Sequence, residues 1–366
     1  MSVRTRVTLW SVALLAVLCL TMLASATVGP VDIGVLAVAK ACLNAVGIPT
    51  GLSVEQALMS VGGVRLLVPV PDLSYTYPFS FSVPTIAETI VRRLRLPRIA
   101  LAAVVGFALA AAGAVMQGFF RNPMADPSII GVSSGAAVGA VATIALPLAV
   151  PFGIQTAAFL GALLTAFAVY LIATEDGRTP VATLLLAGVA VQSLLGAVVS
   201  YLLLQSGESL EQALYWLMGN LHNSTWGQVE VTAPFALLAF GVLLAYARDL
   251  NVLLLGEEDA GALGIEVERT KRVLLGVSSV ITAAAVAVAG VIGFVGLVVP
   301  HMMRLVVGPD HRLLLPTSAL AGAVFLVATD TVARMGPATL PVGIVTAALG
   351  APFFLYLLRR REVHAL

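Results

Sequence analysis

The sequence is poor in charge. Of its 366 residues only 11% are Asp, Glu, Lys or Arg, whereas 59% are hydrophobic, and the mean hydropathy is +1.01. Soluble domains carry roughly 25% charged residues, so this chain lacks the polar side chains needed to cover a soluble globule of its length. The same excess of apolar side chains excludes a disordered chain. A polytopic membrane protein is the class that remains.

Cysteine and catalytic motifs are also scarce. Cys19 and Cys42 are the only cysteines, too few for a disulfide scaffold. The four histidines have no metal-ligand spacing, and no GxxxxGKS or GxxxxGKT phosphate loop is present. We therefore do not expect an enzyme, or a chain that binds a metal, a cofactor or a nucleotide of its own. A net charge of +1 gives no indication of a nucleic-acid partner.

Charge-free runs predict ten transmembrane helices. About 20 apolar residues are needed for each crossing, and Pro and Gly clusters mark the turns. Both termini are basic and are expected in the cytoplasm, which requires an even number of spans. The long charge-free run 273–303 is therefore divided near Gly290, Gly293 and Gly296. The predicted spans are 7–28, 99–119, 128–146, 154–174, 181–204, 230–247, 273–289, 291–307, 313–333 and 340–358.

The first of these runs has a second interpretation. Ala24-Ser25-Ala26 resembles a signal-peptidase site that follows a basic start. The apolar stretch before it is longer than the roughly 7–15 residues of a signal core. We expect a retained helix.

Two segments are predicted to lie outside the membrane. Residues 29–92 form an extracytoplasmic loop in which Tyr75, Tyr77, Phe79 and Phe81 would share one face of a strand, as an interfacial cover or as a ligand contact. Residues 249–272 lie in the cytoplasm and are rich in charge. They are interpreted as short helices around two glycines, which either present an acidic surface to a partner or serve as a charged connector.

Five arginines lie on the side of the membrane that usually avoids them. They either reach toward lipid phosphates or meet an acidic partner. The five are Arg92, Arg93, Arg95, Arg98 and Arg334.

Ionisable residues are almost absent from the middle of the spans, which argues against an ion-driven pump, although sodium sites made of backbone carbonyls remain open. We expect any uphill transport to draw its energy from a partner.

Several long motifs follow one another from about Thr89 to the C-terminus. They are RLPR at 95–98, GAVMQ at 113–117, RNPMADP at 121–127, GVSSGA at 131–136, LLLAGV at 184–189, GFVGLVVPH at 293–301, DHRLLLP at 310–316 and LPVGIVT at 340–346. In this order they resemble the permease subunits of ATP-driven importers for iron–siderophore complexes, haem and vitamin B12.

The resemblance implies a fold and a set of partners. The fold is a single all-α permease domain, residues 1–366, of the type II importer kind, with ten helices of which 2–5 and 7–10 form an inverted repeat. Two copies would form a homodimer in the cytoplasmic membrane of a prokaryote, with two cytoplasmic ATPases that bind ATP and Mg²⁺, and an extracytoplasmic binding protein. The expected substrate is an iron chelate, either a ferric siderophore or haem. Cobalamin is the alternative, and an ion-coupled transporter ranks behind both.

The resemblance also assigns roles to particular residues. Docking of the binding protein falls on Arg95, Arg98 and Arg334, and Asp330 is positioned to pair with Arg334 one helical turn later. ATPase coupling falls on Gly256, Glu257, Glu258, Ala260 and Gly264. The translocation path falls on Thr183, Gln192, Ser193 and Ser200, with help from residues 210–220 and the last helix. The alternative for each of these polar groups is helix packing or a hydrogen bond to its own backbone.

Overall fold

The computed structural model describes residues 3–61, 64–146, 153–336 and 339–359. Most of these residues are helical. The helices are α1 (Val3–Thr27), α2 (Val35–Asn44), α3 (Thr85–Thr89), α4 (Leu96–Phe119), α5 (Val132–Ala145), α6 (Gly153–Ala173), α7 (Val181–Gln205), α8 (Leu210–Leu217), α9 (Trp226–Ala245), α10 (Ala247–Leu253), α11 (Glu257–Ala262), α12 (Val267–Ala289), α13 (Val295–Val307), α14 (His311–Ala333) and α15 (Val342–Arg359). One antiparallel hairpin joins β1 (Ile48–Val61) to β2 (Val64–Thr76).

Each of the ten predicted spans coincides with a helix. The matching helices are α1, α4, α5, α6, α7, α9, α12, α13, α14 and α15. Within the described residues, seven helical segments are long and apolar enough to cross a membrane unaided, whereas α5, α13 and α15 are shorter.

The second span begins earlier than the sequence predicts. α3, a π-helical turn over Ile90–Arg95 and α4 form one continuous helix over Thr85–Phe119, so the end of the predicted loop 29–92 is helical. Pro97 suggested a start after it, because proline lacks an N–H and clashes with the preceding turn. A π-helical turn directly before Pro97 widens the helix locally and lets it pass through the proline.

The predicted division of the run 273–303 is confirmed. α12 ends at Ala289, and Gly290 follows with φ +70°. A Cβ on Gly290 would lie 2.2 Å from the Trp216 carbonyl oxygen, so glycine is required both by the backbone angle and by this close approach. The next helix begins at Val295 rather than at residue 291, after Phe294, which also has a positive φ.

α4 is the central helix and packs closely on α13 and α14. A Cβ on Gly106 would lie 2.2 Å from the Gly322 carbonyl oxygen in α14, and one on Gly322 would lie 2.3 Å from that of Gly106. A Cβ on Gly113 would likewise lie 1.9 Å from the Gly296 carbonyl oxygen of α13. Small residues let helix backbones approach each other inside a membrane, where packing drives association.

The strand expectation for the aromatic residues is wrong. β2 ends at Thr76, which pairs with the first residue of β1, so Tyr77, Phe79 and Phe81 lie beyond the ladder. Pro78 cannot donate to a continuing ladder. Phe79 and Phe81 instead stack on each other with ring centroids 6.0 Å apart. The side chain of Tyr75 lies outside the described residues.

Candidate functional site

A buried arginine cluster lies at one end of the bundle and is built around Asp330. Arg98 of α4 donates from Nε to both carboxylate oxygens of Asp330, at 2.9 and 3.1 Å, and from Nη2 at 2.8 Å. Arg334, directly after α14, donates from Nε to Asp330 Oδ2 at 3.0 Å. Such forked, charge-assisted contacts are strong and fix orientation. The predicted Asp330–Arg334 pair is confirmed, and the contact from Arg98 adds a link between α4 and α14.

The same arginines hold the end of α1 in place. Arg334 donates from Nη2 to the Ser25 hydroxyl at 2.6 Å and from Nη1 to the Val28 carbonyl at 2.9 Å. Arg95 donates to the carbonyls of Ala26 and Val31. Ser25 and Ala26 are therefore buried against the bundle and are not exposed to solvent.

This burial bears on the expected docking role. The side chains of Arg95, Arg98 and Arg334 are all buried, and each guanidinium has partners in its own chain. A direct contact with carboxylates of another protein requires these bonds to be exchanged. Of the neighbouring arginines, Arg93 is exposed. Docking through the three buried arginines remains a prediction.

A cavity of about 320 Å³ lies near the same end of the bundle. Its walls include Tyr215, Trp216 and Asn220 from the segment 210–220, and His222 beyond it. The Nε2 of His222 lies 2.7 Å from the Thr339 hydroxyl. Burial, with the charge of Arg98 as the second cause, lowers the pKa of His222, so the imidazole is neutral at pH 7. No sequence motif pointed to this histidine.

The opposite end of the bundle carries the charged segment 249–272. As expected, it forms two short helices, α10 and α11, separated by Gly256, which has φ +127°, and followed by Gly264 at +87°. Both angles lie in the region that favours glycine. The two glycines therefore set the directions in which the chain enters and leaves α11.

The predicted coupling residues divide into two groups. Ala260 is fully buried, and Glu257 accepts from the Lys271 ammonium at 3.1 Å, so both hold α11 against α12. Glu258 and Gly264 are exposed. Together with Asp259, Leu263 and the intervening small residues they form an acidic, shallow surface that a second protein can contact. We name these exposed residues, 258–259 and 261–264, the coupling surface.

A polar network that the sequence did not reveal ties this segment to α14. Asn251 of α10 donates to Asp310 at 2.7 Å and accepts from the His311 backbone N–H at 2.9 Å. Asp310 caps α14 by accepting from the Arg312 N–H and pairs with the Arg312 guanidinium at 2.6 Å. Hydrogen bonds from Arg312 are the largest cause that lowers the pKa of Asp310, to about 2. These bonds connect α10 directly to the first turn of α14.

The predicted path residues on α7 do not share one environment. Thr183, Ser193 and Ser200 are all exposed, and Ser193 and Ser200, seven residues apart, share one face of the helix. The hydroxyls of Ser193 and Ser200 donate to carbonyls one turn back, at 2.9 and 3.0 Å. Gln192 is half-buried and donates to the Ile129 carbonyl at 2.7 Å, which anchors a short 3₁₀-helix rather than facing a path. The path assignment of the three hydroxyls remains a prediction.

No metal-binding group emerges from the described part of the chain. There, no three His, Cys, Asp or Glu residues are placed so that they could hold a metal ion. The arginine cluster and the charged segment 249–272 lie at opposite ends of the bundle, and the buried side chains between them are mainly apolar.

The sequence places the chain in a known family. It matches the profile of the FecCD transport family over residues 18–360, and the chain belongs to this family. The predicted helical, polytopic permease fold and its family are thus confirmed, with the β1–β2 hairpin as an addition in the predicted loop 29–92, and the chain is an integral membrane protein.

Individual relatives cover most of the chain. The cobalamin import system permease protein BtuC of Halobacterium salinarum is 60% identical over 363 residues, covering 99% of this chain and 98% of the relative. The hemin transport system permease protein HmuU of Yersinia pestis is 45% identical over 278 residues, covering 74% and 83%. A solved structure described as an inward-facing conformation of a metal-chelate type ABC transporter superposes with a TM-score of 0.78 at 30% identity, covering 96% of this chain and 98% of that one.

Proposed function

We propose that this chain is the permease subunit of an ATP-driven importer that carries a cobalamin-class metal chelate across the cytoplasmic membrane of a prokaryote. The observation that carries the substrate is the extent of the similarity to the cobalamin permease. An alignment over 99% of the chain includes most of residues 29–92, whereas the hemin permease covers 74% of the chain. The motifs alone narrowly favour iron chelates, and this coverage reverses the order.

An iron chelate, either a ferric siderophore or haem, is the second candidate. The 45% identity to the hemin permease supports it. The bundle is compatible with either class of cargo, because its described residues provide no metal-ligating group that would select one metal complex. Selectivity would then lie mainly in the separate binding protein.

The proposed assembly is a homodimer with two ATPases. Exposed apolar side chains on α7, such as Leu186 and Leu194, and on α15, such as Ile344 and Leu355, are ones that a second copy can cover. The coupling surface would contact the ATPase in the cytoplasm, and both termini would lie on that side as well. ATP and Mg²⁺ would bind to that ATPase. The arginine cluster then lies at the outer end, where the binding protein would dock.

Reconstitution tests the function directly. Proteoliposomes are prepared with the permease in the membrane, the ATPase and ATP in the lumen, and the binding protein outside. They should accumulate cyanocobalamin in the lumen. Haemin and a ferric siderophore, offered separately, should accumulate more slowly. Faster uptake of either iron chelate would favour the second candidate.

The matched control uses the permease alone. Vesicles with this subunit and an imposed proton or sodium gradient should not concentrate any of the three chelates. Gradient-driven accumulation without the ATPase would contradict the proposal and favour an ion-coupled transporter.

A further inference from the structure

Three arginines from distant parts of the chain meet in a cleft beside the first turn of α1. The cleft has a volume of about 610 Å³ and is lined by Val3, Arg4, Val7, Thr8, Arg248 and Arg312. Arg248 lies in α10 and Arg312 in the first turn of α14. We propose that this cleft binds the phosphate headgroup of an anionic phospholipid.

The charge of the lining favours an anion. Its ionisable residues are three arginines, and no carboxylate is among them. The nearby Asp310 is already engaged by Arg312 and Asn251. Arg4 and Arg248 are exposed, and within the described part of the chain neither guanidinium has an acceptor. Two guanidinium groups are thus available to donate paired hydrogen bonds to phosphate oxygens, a geometry that arginine suits.

The position of the cleft favours a lipid over a free anion. Arg4 and Arg312 lie in the first turns of α1 and α14, two helices that are long and apolar enough to cross a membrane, so we expect the cleft near a headgroup region. Val3 and Val7, one turn apart on α1, give the cleft an apolar wall that can contact the glycerol and upper acyl chain. Basic pockets between helix ends on the cytoplasmic side of a membrane are typical sites for anionic headgroups.

The expected size of the effect follows from charge. Each Lys or Arg near an anionic surface strengthens binding by about fivefold, so two together contribute about 30-fold. Only the assignment of the site to the inner leaflet rests on the proposed function. Binding itself is a property of the permease alone, so its failure and a failure of chelate uptake are separate results.

The test is lipid titration followed by native mass spectrometry. The purified permease is titrated in detergent with phosphatidylglycerol or with phosphatidylcholine of the same acyl chains. We expect tight binding of phosphatidylglycerol and at least tenfold weaker binding of phosphatidylcholine. The double variant Arg4→Gln/Arg248→Gln should bind phosphatidylglycerol about 30-fold more weakly. Equal affinities for the two lipids, or an unchanged affinity in the double variant, would overturn the proposal.

Two controls keep the outcome unambiguous. Arg269→Gln/Arg272→Gln removes the same charge from exposed positions at the start of α12, outside the cleft, and should leave affinity within about twofold. If the first double variant does not fold, the single variant Arg248→Gln should still lose about fivefold. Displacement of the lipid by millimolar inorganic phosphate would identify a free-anion site and overturn the lipid assignment.

Discussion

Arg98 in α4 donates hydrogen bonds to both carboxylate oxygens of Asp330, which lies 232 residues further along the chain. Because Arg334 donates to the same carboxylate and to Ser25, one buried acid joins the ends of α1, α4 and α14. The residues expected to dock a partner are therefore also the residues that fasten the bundle at this end.

The first prediction concerns this carboxylate. Asp330→Asn keeps the shape of the side chain but leaves two buried guanidinium groups without a counter-charge. Removal of one member of a buried ion pair typically costs about 3–5 kcal/mol, so we expect a clear fall in the apparent melting temperature in detergent. Asp259→Asn, at an exposed position in α11, is the matched control and should melt like the wild type. Equal melting of Asp330→Asn would contradict the structural role of the cluster.

The second prediction concerns the contact between α4 and α14. Gly106→Ala places a methyl group within 2.2 Å of the Gly322 carbonyl oxygen, so the helices must separate. Overpacking of this kind costs about 1–3 kcal/mol, and thermal unfolding measures it. Gly276→Ala in α12 is the control, because a Cβ there meets nothing within 4 Å. It should be neutral or stabilising by up to about 1 kcal/mol. The contact is refuted if both variants melt alike.

The third prediction concerns the coupling surface. Glu258→Lys/Asp259→Lys reverses its charge without touching Ala260 or the pair between Glu257 and Lys271. The permease should fold normally, as judged by size-exclusion chromatography, but should no longer retain its ATPase on co-purification. Glu208→Lys/Glu211→Lys makes the same change at exposed positions near the start of α8 and should retain it. Full retention by the first variant would remove the coupling assignment.

The fourth prediction is a pH dependence. Hydrogen bonds from Arg312, followed by those from Asn251, hold the pKa of Asp310 near 2, below its usual value. A carboxyl group with a depressed pKa stabilises the fold above its unfolded pKa, and this contribution is lost as pH falls toward the folded value. Asp310→Asn keeps a capping side chain but removes the charge. The wild type should therefore be more stable than Asp310→Asn above pH 5, and the difference should vanish toward pH 2.

The fifth prediction concerns docking. Arg95→Glu/Arg334→Glu replaces two donors by acidic groups, which should repel an acidic docking protein and abolish its stimulation of ATP turnover. Because both arginines are buried, basal ATP turnover must be measured together with the stimulated turnover, to show that the assembly is intact. Arg178→Glu/Arg359→Glu serves as the charge-matched control, at exposed positions outside the segment 249–272. Normal stimulation of the first variant would exclude docking through these arginines.

Much of the fold can be deduced from the pattern of residues along the chain. The ten helices follow from apolar runs, since a membrane core requires a long hydrophobic helix for each crossing. The break after Ala289 follows from Gly290 and Gly293, which lie between α12 and α13. The beginning of the second span does not, because a proline that usually ends a helix is accommodated by a π-helical turn. The strand end at Thr76 likewise depends on where β1 begins.

The candidate sites show the same division. Local spacing determined the Asp330–Arg334 pair, the two short helices around Gly256, and the membrane class, because each depends on residues that are close in sequence or on composition. Only the tertiary structure placed Arg98 on Asp330, Arg334 on Ser25, and Arg4 beside Arg248 and Arg312. These groups are brought together by helices that are distant in sequence, and burial, not residue type, decides which arginines remain free to bind something else.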